Sequence, residues 1–141
     1  MKRLLPIFKA SFFVPLFGDG STKFQPVFID DVSLAVDEII NSKIKGKNIY
    51  ELTGPRIYSY KEFFNHISNF LNKTRVFVPV PMAVMKPMIN IAEKTPFSPL
   101  TSEQLTLFEK DNLITNVDKS FQNLDINPQD TLQILKKIIV N

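Results

Sequence analysis

The sequence predicts an α/β domain of α+β character, in which short parallel strands are joined by helices and the second half is rich in helix. Three observations predict it. Extended runs rich in aromatic and β-branched residues ("VPLF", "TKFQPVFI", "NIYEL", "RVFVPV") alternate with amphipathic segments. Two capping boxes, Ser59 with Glu62 and Thr101 with Gln104, mark helix starts. The chain of 141 residues is 44% hydrophobic with its charges spread evenly, enough for one domain with a modest core and against disorder.

Leu4, Leu5, Phe8 and Phe12 recur at helical spacing and predict a short helix ending before Pro15, with no capping residue ahead of it. Gly18-Asp19-Gly20-Ser21 separates two extended runs and reads as a hairpin or a tight strand-to-strand turn. Pro26 has no amide hydrogen, so its strand lies at an edge or pairs on one side only. Asp30 or Asp31 then caps a helix whose apolar stripe is Val32, Ala35, Val36, Ile39 and Ile40. Residues 48–52, "NIYEL", read as a strand and Thr53-Gly54-Pro55 as a turn. The helix behind the Ser59 box buries Phe63, Phe64, Ile67, Phe70 and Leu71. "RVFVPV" is a further strand and leads into an apolar helix, "PMAVMKPMINIAEK", that Pro87 kinks or divides. The Thr101 box opens a helix through Leu105 and Phe108. Pro128, behind Asn127, opens the last helix, with Leu132, Leu135, Ile138 and Ile139 inward.

Composition removes several function classes. The net charge is +3 and the pI about 9.1, but the lysines are scattered and no basic run alternates with aromatic residues, so nucleic acid is not an expected partner. There is no cysteine and His66 is the only histidine, which excludes disulfides, thiolate sites and histidine clusters; no metal is expected. The N-terminal "MKRLLPIFKASFFVPLF" has the basic start of a signal peptide. However, Lys9 interrupts its apolar run, Pro6 and Pro15 break it, and no small-residue cleavage site follows. No stretch reaches the roughly 18 apolar residues of a membrane span.

The chemistry-bearing residues have structural readings. Gly18-Asp19-Gly20 lacks the third glycine of a dinucleotide fingerprint, since Lys23 stands in its place, so the glycines are a turn. Capping accounts for at least one of Asp30 and Asp31, and His66, between Phe63 and Phe70, is a boundary histidine with no nucleophile or acid recognisably paired with it. Tyr58, Tyr60 and Lys61 lie close together, yet no tyrosine is followed by lysine four residues later. No catalytic, cofactor-binding or metal-ligating residue is assigned. Met82, Met85 and Met88 belong to an adaptable apolar stretch that suits a packed core or contact with a partner or membrane surface.

The segments "PLFGDGSTKFQPVFIDDVSLAV", "YELTGPRIYSYKEF", "VPVPMAVMKPM" and "PLTSEQLTLFEKDN" resemble, in that order, the C-terminal half of extended, atypical short-chain dehydrogenase/reductase proteins of the NAD-dependent epimerase/dehydratase superfamily. The closest group is the one typified by the NAD(P)H-binding accessory subunit of respiratory complex I and its bacterial relatives; "FQPVFIDDV" is the most specific element. The resemblance runs from residue 3 or so to residue 130 or so and implies a chain without the Rossmann nucleotide-binding half. Residues 1–141 would then be one substrate-side or interaction domain, with 1–17 a remnant of the helix linking it to the Rossmann part. NAD(P) is the cofactor of the parent family, and none is expected for this chain alone. The resemblance further implies that Lys23 and Gln25 face the substrate cleft, that Asp31 is the helix cap, and that "NIYEL" pairs in parallel with the strand from Lys23 to Ile29. Expected partners are the Rossmann half or a complementing protein, with a respiratory membrane complex as a candidate. Expected placement is cytoplasmic, or peripheral on the inner membrane. The leading expectation is a structural or assembly role. Two alternatives are half of an active epimerase, dehydratase or reductase on a nucleotide-linked or isoprenoid-like substrate, and a stand-alone interaction module docking through Met82, Met85 and Met88.

Overall fold

Pairing of distant segments, not of neighbours, organises this chain. The computed structural model describes residues 5–42, 46, 48–95, 101–114 and 119–140. A short helix, α1 (Leu5–Ala10), leads into β1 (Phe13–Phe17), which runs parallel to β4 (Val76–Val80) with Phe13 opposite Val76 and Phe17 opposite Val80. Between them lie β2 (Lys23–Phe24), α2 (Ile29–Asn41), β3 (Tyr58–Ser59) and α3 (Tyr60–Phe70); β2 and β3 pair antiparallel. α4 (Met82–Ala92), α5 (Ser102–Leu105) and α6 (Thr131–Val140) follow, with 3-10 turns at Thr106–Phe108 and Phe121–Leu124. The short parallel strands and helix-rich second half agree with the expected α/β class.

The two extended runs around Gly18-Asp19-Gly20 do not form a hairpin. The Gly18 N–H extends the β1 ladder onto the Val80 carbonyl, 2.9 Å away, and the left-handed backbone of Gly18 and Gly20 (φ 61° and 77°) turns the chain toward the start of α3. There the Gly20 carbonyl accepts from the Lys61 amide at 3.0 Å and the Thr22 carbonyl from Tyr60 at 3.1 Å. The expected strand from Lys23 to Ile29 is two residues long. Pro26 brings no donor, and its carbonyl accepts instead from the Thr131 hydroxyl at 2.9 Å. "NIYEL" joins no ladder among the described residues and so does not pair in parallel with β2; the Glu51 amide bonds the Lys119 carbonyl at 2.8 Å.

The two helix starts marked by capping boxes form where the sequence places them. Ser59 accepts from the Glu62 amide at 3.2 Å while the Glu62 carboxylate accepts from the Ser59 amide at 2.8 Å, and Thr101 with Gln104 repeats the box. Phe63, Phe64 and Ile67 of α3 are buried, with Phe70 and Leu71 half-buried at the edge. α4 passes through Pro87 as one helix. The stripe on α2 is narrower than expected: Ala35 is buried against Phe121 and Leu124 with Val32 and Ile39 alongside, while Val36 and Ile40 are exposed. The last helix starts at Thr131, not Pro128. Asp130 precedes it, its carbonyl accepting from Ile134 and its carboxylate from the Leu132 amide. Leu132 is inward, Leu135 and Ile139 are half-buried, and Ile138 is exposed.

The main core lies on one face of β1 and β4. Val14 and Leu16 are buried there against Phe8, Phe63, Phe64 and Ile67, with Phe64 edge-on to Phe8 (ring centroids 5.1 Å apart). The opposite face is bare. Phe13 is 59% exposed, and Val76 and Val78 are each 41% exposed, across from Phe13 and Pro15 in the register. The outer edge of β1 has no strand beside it among the described residues. The bonds from Val76 N to Phe12 O and from Gly18 N to Val80 O fix the alternation, which turns the Phe13 and Phe17 amides and the Pro15 carbonyl outward.

Candidate functional site: the cavity beside Gln25

A cavity of about 560 Å³ opens where the segment before α2 meets the Thr53-Gly54-Pro55 turn and the strap from Ser120 to Pro128. Gln25 stands in its wall and ties two sides together. Its side-chain amide donates to the Gly54 carbonyl at 3.4 Å, and its side-chain oxygen accepts from the Ile114 amide at 3.1 Å. Gly54 is required by close approach. A Cβ built on it would lie 1.9 Å from the Pro26 carbonyl oxygen. Phe121 and Ile126 supply apolar wall, and Asp125, held in the left-handed region at φ 53°, is the acidic lining residue. No lysine or arginine lines the cavity among the described residues. The chemistry these residues offer is hydrogen bonding through amides and carbonyls beside apolar surface.

Lys23 is exposed on β2 and does not line this cavity; its backbone amide donates to the Asp111 carboxylate at 2.8 Å. Asp31 is in the first turn of α2 rather than before it. The N-cap position is Phe28, with no side-chain cap, so the capping role assigned to Asp31 is corrected. Asp31 is instead a cross-link. At 2% exposure its carboxylate accepts from the Gln129 amide at 2.8 Å and from the Gln129 side chain at 3.0 Å, fastening the strap under the cavity to α2. A reading of local periodicity misses this because the partner is 98 residues away. Of the three methionines offered as a partner surface, Met85 is buried and Met82 packs on the core; only Met88 is exposed, in line with Val84 and Ile91 on α4.

A second polar cluster joins β3 to α6. The Tyr58 hydroxyl donates to Asp130 at 3.2 Å and Arg56 Nε pairs with the same carboxylate at 3.2 Å. Burial, and then the Asp130 charge, raise the Tyr58 phenol above its ordinary value; burial alone raises Tyr60. His66 is exposed and stacks edge-on to Tyr58. Both carboxylate oxygens of Asp130 are occupied, so the cluster is a fastening between elements. No group of three or more acidic or histidine side chains among the described residues could hold a metal, and no described helix is long and apolar enough to cross a membrane.

Comparison with solved structures identifies the fold. The chain superposes on the triphenylmethane reductase of a Citrobacter species with a TM-score of 0.71 at 18% identity, covering 96% of this chain and 47% of the reductase. Its complex with NADP(H) gives a TM-score of 0.70. The fold is that of about half of a Rossmann-type short-chain dehydrogenase/reductase. No family model matches the chain.

Curated relatives narrow the kinship. NADH dehydrogenase [ubiquinone] 1 alpha subcomplex subunit 9, mitochondrial, of Arabidopsis thaliana is 31% identical over 82% of this chain, and the NADH-ubiquinone oxidoreductase 40 kDa subunit, mitochondrial, of Neurospora crassa is 28% identical over 77% of it. The chain is thus a sequence relative of respiratory complex I subunits, as its motifs indicate. It spans 31% and 29% of the length of these two relatives.

Proposed function

We propose that this chain is the C-terminal, substrate-side domain of an NAD(P)H-binding protein akin to the complex I accessory subunits, with a structural or assembly role. The bare face and open edge of the β1–β4 pair carry this reading. Parallel strands are stable when both faces are covered and neighbours continue the sheet, and a two-stranded parallel ribbon exposing Phe13, Val76 and Val78 meets neither condition by itself. The occupant that fits is a further parallel strand with a helix behind it, the remainder of a Rossmann-type sheet, supplied by the same polypeptide or a complementing one. Dinucleotide binding then belongs to that remainder. Peripheral placement on a membrane complex follows from the same kinship. A titration of the isolated chain with NADPH tests the division of labour: weak or no binding is expected, and micromolar affinity would overturn it.

The cavity beside Gln25 supports a second reading, half of an active reductase, epimerase or dehydratase. Its amide-rich wall, without a cation among the described residues, favours a neutral, partly apolar substrate over a nucleotide-linked one.

A further inference from the structure

We propose that the turn joining α3 to β4 is a binding site for a phosphodiester or comparable oxyanion. The cavity there, about 410 Å³, shares no lining residue with the one beside Gln25 among the described residues; its lining includes Ser68, Asn69, Asn72, Lys73, Thr74 and Arg75 and, among the described residues, no acidic one. Ser68 is only 4% exposed, and its hydroxyl finds no hydrogen-bond partner. A buried hydroxyl of this kind is unfavourable unless something completes it, and it leaves this wall of the cavity with an unused donor behind its surface.

The charge balance selects the ligand. α1 and α3 both end at this turn, and each helix C-terminus contributes up to about half a negative charge. Lys73 and Arg75 answer with two positive charges. Lys73 donates to the Lys9 carbonyl at 2.8 Å, and Arg75 directs Nε and Nη2 to the Phe8 and Lys9 carbonyls and Nη1 to that of Thr74, so it contributes mainly its charge. Neither makes an ion pair with a described carboxylate. With Lys9 in the last turn of α1 as well, the turn is left net positive, which suits an anion and disfavours a metal cation. One donor of Lys73 is committed to α1, leaving two of its ammonium hydrogens for a ligand. The turn is already formed. Asn72 holds the left-handed conformation (φ 50°) and lets the Lys73 amide close onto the Ser68 carbonyl at 3.1 Å, so binding requires little ordering of the backbone.

A lipid headgroup and a soluble phosphodiester share this chemistry, and one experiment separates them. The full chain, labelled with nitrogen-15, is titrated with dimethyl phosphate while amide shifts are followed. In parallel it is sedimented with phosphatidylglycerol or phosphatidylcholine vesicles. Saturable shifts confined to Asn69 through Arg75 are expected. They should weaken about tenfold or more in Asn69→Asp, which sets a like charge in the cavity and leaves the Lys73 and Arg75 contacts to α1 in place. Lys73→Met should weaken binding similarly, and Lys136→Met on α6 should leave it unchanged. Sedimentation with phosphatidylglycerol alone, lost in Asn69→Asp, assigns the site to a lipid headgroup. Silence in both arms, or binding that ignores Asn69→Asp, overturns the proposal.

Discussion

Replacing Asp31 by alanine should unfasten the strap that underlies the Gln25 cavity. The Asp31 carboxylate is 2% exposed and receives two hydrogen bonds from Gln129, one from the backbone and one from the side chain. A hydrogen bond to a charged group contributes about 1.5–3 kcal/mol, and the two here share one carboxylate, so their loss is less than additive. We expect Asp31→Ala to lower stability by about 3 kcal/mol, near 9 °C in Tm for a domain of this size. Gln129→Ala removes the side-chain bond alone and should cost about 1.5 kcal/mol. Asp30→Ala, at an exposed neighbour, should stay within about 0.5 kcal/mol of the wild type. Urea denaturation monitored by far-UV circular dichroism, compared at constant m, reads all three. If Asp31→Ala falls within about 0.5 kcal/mol of the wild type, or Asp30→Ala equals it, Asp31 does not act as a cross-link.

Other consequences follow from single contacts. Gly54→Ala drives a Cβ to 1.9 Å from the Pro26 carbonyl and should destabilise the chain by more than about 3 kcal/mol, visible as a collapse of the thermal midpoint. Gly20→Ala combines φ 77° with a Cβ 3.0 Å from a Leu16 methyl and should cost about 2 kcal/mol by the same assay. Ser59→Ala should cost about 1 kcal/mol through loss of the α3 cap. The Ser59 hydrogen bonds hold the Glu62 carboxyl below its ordinary pKa, so its contribution is fully present above about pH 5 and is lost as pH falls through the lowered folded value. Urea midpoints measured across that acid range should fall less steeply in Glu62→Gln.

Sequence made the local part of this structure legible and the distant part not. Both capping boxes are visible because donor and acceptor lie three residues apart. The β1–β4 ladder is invisible to periodicity because its partners are more than sixty residues apart in the chain, and the choice of partner is made by burial of Val14 and Leu16 against α3. The same distance hides the tie from Asp31 to Gln129 and the contacts of Lys73 and Arg75 with the end of α1. Gln25 lies within "FQPVFIDDV", a motif visible in the sequence. Its clasp onto Gly54 and Ile114 needed the fold.

We propose that the open edge of β1 is continued by a Rossmann-type partner. The most direct test is to recover the chain from its native cell with an antibody, measure the intact mass of what carries it and of what stays bound, and titrate that assembly with NADPH. A product well above 16.2 kDa, or a 16.2 kDa chain held tightly by a second polypeptide, with NADPH binding in either case, is the expected result. A solitary 16.2 kDa monomer with no such partner would contradict it.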